Sequence, residues 1–339
     1  MFSFLQLFMK PYPRFLAAAS ILLATLVSFS CGGGSDSTSS PSSSSTTATE
    51  GFTHINDRRS AAGLAKLAFS SEIAKAAQNH TDYQRINGPF LDSESNSSSP
   101  ITHSETLGKP GFTGVDACPD RMTAAGFSLG SQYGCGEVIS ALDDTSGVTA
   151  AEELITAIYH RFIIFQPSFK EAGAGAGPSY DGRYTIFTEN FAVRGSFTSL
   201  GNGAIVTYPY PSQKQVPTSF AHYTENPDPL PAASFPEFAG KQVGYPVSVH
   251  VDLDQRIDVQ AFTIQKQGDN AILSGRVLSG TTDANTQSFS AATVPFQELT
   301  PQTVYEAAFS GTVCLRDLNT NECISAPISV SRNWSFTTR

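Results

Sequence analysis

Charge is scarce in this sequence: 15% of the residues are charged, the formal net charge is −9, and no basic stripe interrupts the acidic excess. Such a surface neutralises few phosphates, which excludes nucleic-acid binding and adhesion to anionic bilayers through the protein surface. The apolar run near the N-terminus, Phe15 to Phe29, covers about fifteen positions and falls short of the roughly twenty that a membrane span needs. No cysteine pair has C-x-x-C spacing, which weighs against a zinc ribbon. Gly173-Ala174-Gly175-Ala176-Gly177 lacks the G-x-G-x-x-G spacing of a dinucleotide site. Asp252, Asp254 and Asp258 lack the glycine and terminal glutamate of an EF-hand and are expected as exposed strand and turn charges.

What is present begins with an export signal. Lys10 and Arg14 supply a positive region ahead of the apolar run, which closes on Ser28-Phe29-Ser30-Cys31. Gly32-Gly33-Gly34 and a Ser/Thr tract to about Thr49 follow. The segment resembles a bacterial lipoprotein signal, which implies lipidation of Cys31 and attachment to an envelope membrane; a secretory signal with Cys31 incidental is the alternative. Residues 1–30 are therefore expected outside the fold, and residues 31–50 as a flexible tether. In an oxidising compartment the remaining cysteines, Cys118, Cys135, Cys314 and Cys323, fall into two local pairs, and Cys118–Cys135 and Cys314–Cys323 disulfides are expected.

The texture changes near residue 200. Before it, helix and strand patterns mix: a helix over Phe52 to Leu67 interrupted at Gly63, and a second from Ser70-Ser71 to Asn87-Gly88. Gly88 to Lys109 reads as a long polar loop, and Pro119 to Ala125 as a short helix. Thr149 and Glu152 form a capping box for a helix running through Phe162, and strands are expected at Glu171 to Gly177 and Arg183 to Val193. After Gly201 prolines cluster and strands alternate from Val247 to Phe336, which indicates an all-β sandwich. The overall class is α+β.

Several short pieces occur in a fixed order: Asn56-Asp57-Arg58-Arg59, His80-Thr81-Asp82-Tyr83, Thr102-His103-Ser104-Glu105, Asp120-Arg121, Gly136-Glu137-Val138 and Tyr159-His160-Arg161. Together they resemble the bacterial branch of the CAP superfamily of cysteine-rich secretory, antigen 5 and pathogenesis-related proteins. The resemblance implies an α-β-α sandwich over residues 51–196 and a cavity lined by two histidines and two glutamates. His103, Glu137 and His160 match three of these. The second glutamate falls near Ala157 and is missing, with Glu105 or Glu153 as substitutes. Residues 203–339 resemble bacterial Ig-like domains, through Leu299-Thr300-Pro301-Gln302-Thr303-Val304-Tyr305 and Trp334-Ser335-Phe336-Thr337-Thr338. Tyr305 and Trp334 are expected between the two sheets.

Two imidazoles and a carboxylate have three possible uses. His103 and His160 with Glu137 are a minimal Zn²⁺ site with an open water position. They are equally a general acid and base, or a polar cavity whose members satisfy one another. The expected function is a cell-envelope binding protein for a lipid, a wall component or another envelope protein. A metal-dependent hydrolase and an adhesion protein with a vestigial cavity are the alternatives, and no cofactor is required unless Zn²⁺ occupies the cavity.

Other signals carry less. Gly126-Phe127-Ser128-Leu129-Gly130 matches a nucleophile elbow but has no strand before it and no helix after it. His80 reads as a satisfied core histidine, His54 as helix surface, and His250 as pointing outward with Ser248 and Asp252.

Overall fold

The structure, a computed structural model, describes residues 6–10, 43–92, 97–113 and 118–339. Cys31, the expected lipidation site, lies outside these residues. The first domain runs through β1 (Gln6–Lys10), α1 (Ser43–Ala61), β2 (Ala68–Phe69), α2 (Ser71–Asn87), β3 (Phe90–Asp92), β4 (Ser97–Ser99) and α3 (Cys118–Ala124). It continues with β5 (Tyr133–Leu142), α4 (Gly147–Thr156), α5 (Ile158–Ile164), β6 (Glu171–Pro178) and β7 (Thr185–Arg194). Its sheet has the order β1-β5-β7-β6-β2.

Alternation along β7 builds the layers. Phe187, Phe191 and Val193 face α1, α4 and α5 in the main core, whereas Ala192 faces Ile73 and Ala76 of α2. The side chain of Thr188, on the α2 face, accepts from Thr81 at 3.0 Å. Helix α2 starts where Ser70 accepts from the amide of Ile73, and it buries Ile73, Ala76, Ala77, His80 and Tyr83 as its periodicity predicts. It approaches β6 closely because Gly173 and Gly175 have no Cβ. A methyl at those positions would lie 2.2 Å from the Ala74 nitrogen and 2.4 Å from the Gln78 nitrogen. The arrangement is an α-β-α sandwich.

Local pattern and structure differ in several places, among them the hairpin of β3 and β4 inside the expected Gly88–Lys109 loop and the strand β5, which no alternation announced. Helix α1 begins at Ser43, inside the expected tether, despite the poor helix propensity of its Ser/Thr run. Packing on the α4 region outweighs propensity: Ala48 is buried, Thr47 Oγ1 donates to the Thr145 carbonyl at 2.7 Å, and Glu50 accepts from the Gly147 amide at 3.1 Å. The helix expected through Phe162 is broken at Ala157 into α4 and α5, with Ser146 rather than Thr149 as the N-cap of α4. Finally, Gln6–Lys10 does not stand apart from the fold but pairs antiparallel with Tyr133–Glu137, because the edge of β5 offers unpaired backbone groups to any extended segment.

The second domain contains β8 (Val206–Tyr208), β9 (Gln213–Val216), β10 (Ser219–Phe220), β11 (Val243–Gly244), β12 (Val247–His250) and β13 (Gln255–Lys266). It ends with β14 (Gly275–Ser279), β15 (Ser290–Pro295), β16 (Val304–Leu315) and β17 (Ile328–Thr338). Two four-stranded sheets, β14-β15-β12-β8 and β13-β16-β17-β9, form the all-β region. Tyr305 and Trp334 are buried, with Phe262 6.1 Å from Trp334 and Phe336 5.9 Å from Tyr305. Both expected disulfide pairs form, at Cα separations of 6.5 Å for Cys118–Cys135 and 5.7 Å for Cys314–Cys323.

Two expectations for this domain fail for one reason. His250 is fully buried, 5.9 Å from Phe162 and 5.8 Å from Phe165. Asp252 is buried as well, and its carboxylate accepts from the amides of Ser199, Leu200 and Gly201. Strand β12 and the turn after it lie against the first domain, so the face that alternation assigns to solvent is covered by α5 and the inter-domain segment. Asp254 and Asp258 are less enclosed; Asp258 pairs with Arg256 at 2.7 Å.

Candidate functional site

The structure brings His103 and Glu137 together and adds partners that the sequence reading left out. Glu137 projects from β5 toward α2. His103 Nδ1 lies 2.7 Å from its Oε1, and Arg121 of α3 donates from Nη2 to both carboxylate oxygens at 2.7 Å. Arg121 also donates to the His103 carbonyl at 2.9 Å, so one guanidinium fixes the glutamate and the loop that carries the histidine. The Cys118–Cys135 disulfide joins the first residue of α3 to β5 two residues before Glu137, which holds Arg121 over its partner.

His80, read as a core histidine, is one. Its Nδ1 faces Glu105 Oε1 at 2.8 Å and its Nε2 faces the Thr102 carbonyl at 2.8 Å. Both ring nitrogens of His80 therefore face acceptor oxygens. Its Nε2 is also 3.9 Å from Glu137. Glu105 accepts further from the Thr113 amide at 2.7 Å. The result is a buried row of ionisable groups: Glu105, His80, Glu137 and Arg121.

Electrostatics follow from that order. Burial pushes the Glu137 carboxyl up, but Arg121, His80 and His103 together outweigh it and hold the group far below the usual carboxylate range. Burial likewise opposes ionisation of Glu105, and the His80 and Thr113 hydrogen bonds prevail. His103 is shifted down by burial, only partly offset by Glu137, and neighbouring His160 and His80 disfavour its protonation further. Glu137 is thus a carboxylate whose acceptor capacity is already used, which makes it a poor proton shuttle.

His160 sits on α5, every residue of which is buried. Its Nδ1 lies 3.1 Å from Glu225, a residue of the second domain. Neither suggested substitute supplies the missing glutamate at this point: Glu105 binds His80, and Glu153 is exposed on α4. A Zn²⁺ ion does not fit the donors as arranged, because Glu137 is neutralised by Arg121 and would have to exchange that bidentate pair for the metal. Among the described residues, no group of three or more His, Cys, Asp or Glu is disposed to hold a metal.

The remaining motif residues do structural work. Arg59 is buried and donates to the carbonyls of Ile164 and Gln166 at 2.6 and 3.0 Å, tying α1 to the end of α5. Asn56 exchanges hydrogen bonds with the Leu67 backbone. His54 and Arg58 both engage Glu152, which is therefore not a capping-box residue. Ser128 is exposed in the loop after α3, with no elbow around it.

Where α1 and α4 meet the second domain, a groove of about 540 Å³ opens. Arg58, Glu152, Glu153 and Thr156 line one wall, and Gln215 and Gln242 the other.

A family model described as "CAP: Cysteine-rich secretory protein family" matches residues 52–191. Among solved structures, an extracellular protein containing a SCP domain from Bacillus anthracis is 21% identical, at a TM-score of 0.33, over 45% of this chain and 41% of that one. An outer surface protein from Borrelia burgdorferi is 16% identical, at a TM-score of 0.30, over 42% of this chain and 90% of that one. No curated protein matches.

Proposed function

We propose that the chain is an exported binding protein, tethered to a cell-envelope membrane through lipidated Cys31, whose ligand is a hydroxyl- and amide-rich wall component. The observation that carries this reading is the contrast between a locked polar cluster and an open polar groove. Glu137 takes two bonds from Arg121 and one from His103, so the cluster is a rigid support rather than acid–base machinery. The groove is of ligand size at about 540 Å³, and its amides, hydroxyls and carboxylates suit a sugar or peptide better than an acyl chain. The Ig-like resemblance of the second domain adds a spacer role, carrying the groove's far wall away from the membrane.

Calorimetric titration of the protein with soluble cell-wall fragments tests the reading. Binding is expected, weakened about tenfold by Glu153→Gln and by Gln242→Ala, as for one lost hydrogen bond to a ligand. Tight Zn²⁺ binding abolished by both His103→Ala and His160→Ala would replace this reading with a metal-dependent hydrolase. A lipid that copurifies and is displaced by fatty acids would replace it with a lipid carrier.

A further inference from the structure

The gap left by the missing glutamate is filled from the other domain. Glu225 follows a single 3-10 turn, His222–Thr224, and is 2% exposed. Its Oε2 accepts from the Ile158 amide at 2.8 Å, and its Oε1 from the Tyr159 amide at 2.7 Å and the His160 amide at 3.3 Å. The same Oε1 lies 3.1 Å from His160 Nδ1. Ala157, the N-cap residue of α5, makes no side-chain cap hydrogen bond, so the carboxylate from the second domain satisfies the first turn. This explains why α4 and α5 are two helices. The chain must break at Ala157 for the carboxylate to reach the amides that a continuous helix would use internally.

The loop bearing Glu225 is itself braced. His222 Nδ1 faces Asp228 Oδ1 at 2.6 Å, its Nε2 faces the Phe238 carbonyl at 3.0 Å, and Asp228 also accepts from the Leu230 amide at 2.7 Å. Further bonds keep α5 in register with the second domain. Tyr159 donates its hydroxyl to Asp283 at 3.0 Å, and Arg161 donates to the Pro246 carbonyl at 2.5 Å while lying 4.6 Å over the Tyr245 ring. Glu225 therefore meets His160 in a fixed geometry.

A carboxylate only accepts hydrogen bonds, so the ring nitrogen that faces it carries the proton. We propose that Glu225 is a positioning residue of the CAP histidine site: it holds His160 as the Nδ1–H tautomer, with Nε2 as the acceptor nitrogen, and supplies from the second domain the carboxylate that α4 lacks. His103 is oriented in the same way by Glu137, through its Nδ1. His103 and His160 are each set by a carboxylate, one from the first domain's own sheet and one from the neighbouring domain. The β domain then does more than space: it completes the site, and the tautomer of His160 reports whether the two domains are docked.

The test is a long-range ¹H–¹⁵N spectrum of the full chain labelled at histidine, with the His160 signals assigned by their loss in His160→Gln. The expected pattern is a protonated Nδ1 and a pyridine-type Nε2, in the absence of any ligand. Glu225→Ala, shown to be folded by far-ultraviolet circular dichroism, should move both nitrogens to tautomer-averaged shifts. A wild-type spectrum showing Nε2–H or an imidazolium would overturn the proposal, as would a folded Ala variant with an unchanged pattern. Should the Ala variant not fold, Glu225→Gln decides: replacing a charged acceptor by an amide must move the Nδ1–H proton resonance, and an unmoved resonance overturns the assignment. No ligand enters these measurements, so their outcome is independent of the wall-fragment titration.

Discussion

At the scale of single residues, one buried row in the first domain sets ionisable groups side by side. Glu105, His80, Glu137 and Arg121 are 5% exposed or less and succeed one another within hydrogen-bond or ion-pair distance. Glu189 on β7 lies outside this row. Both of its oxygens lack a hydrogen-bond partner among the described residues, and burial pushes its carboxyl up to about 8 although Arg59 pulls the other way. With a folded value above the ordinary 4.5, the folded chain keeps a proton that the unfolded chain releases. The contribution of Glu189 to stability therefore falls as pH rises from about 4.5 to about 8 and is level on either side. Glu189→Gln has no charge to bury and should remove that slope. Its stability relative to the wild type should rise across the window to a gain on the order of 3 kcal/mol near neutrality. Urea titrations at about pH 5 and about pH 8 read the difference directly, and equal gains at both would refute it.

Among elements, the contact between α2 and β6 leaves no room for a side chain on the strand. The glycine run that lacks dinucleotide-site spacing serves packing instead, since Gly173 and Gly175 let the backbone of α2 lie directly on the strand. A Cβ at either position meets backbone atoms that cannot move aside, so Gly173→Ala or Gly175→Ala should destabilise the protein by about 3 kcal/mol or more. Gly177→Ala is the control: its Cβ would meet only the Thr81 methyl at 3.5 Å, and the change should stay within about 1 kcal/mol. Equilibrium denaturation of the three variants checks the ranking. Equal effects would mean that backbone entropy rather than close approach governs these sites. The α4–α5 pair shows the same dominance of tertiary contact over local preference. A helix-compatible sequence is divided at Ala157 because the amides beyond it are bound by Glu225.

On the scale of the whole molecule, the two domains share one interface built on α5, with Tyr159, His160 and Arg161 engaging the β region and His250 enclosed by Phe162 and Phe165. That interface makes cooperative unfolding the expected behaviour. Trp334, the single tryptophan, reports the β domain by fluorescence, while the five α-helices among the described residues belong to the first domain and report it by circular dichroism. The two denaturation curves should coincide in the wild type. Arg161→Ala removes the bond to Pro246 and the stack on Tyr245, and should separate them, with the helical signal lost first. Separate transitions in the wild type would show the domains to be independent.

By itself the sequence determined what short-range periodicity and spacing encode. The stripe of Ile73, Ala77, His80 and Tyr83 and the Ser70 cap specify α2. Alternation specifies β6 and β7, cysteines 17 and 9 residues apart specify the local disulfides, and the ordered motifs carry the resemblance to the CAP family and single out His103 and Glu137, which the fold brings within 2.7 Å. Only the tertiary structure decided which groups meet across long separations. Glu225 reaches His160 from 65 residues away, Arg121 claims both oxygens of Glu137, and His250 and Asp252 turn inward where alternation points them out. The physical reason is common to all of these. A local pattern states which face of an element avoids water, but what covers that face, and which buried charge finds its counter-charge there, is set only when the elements dock.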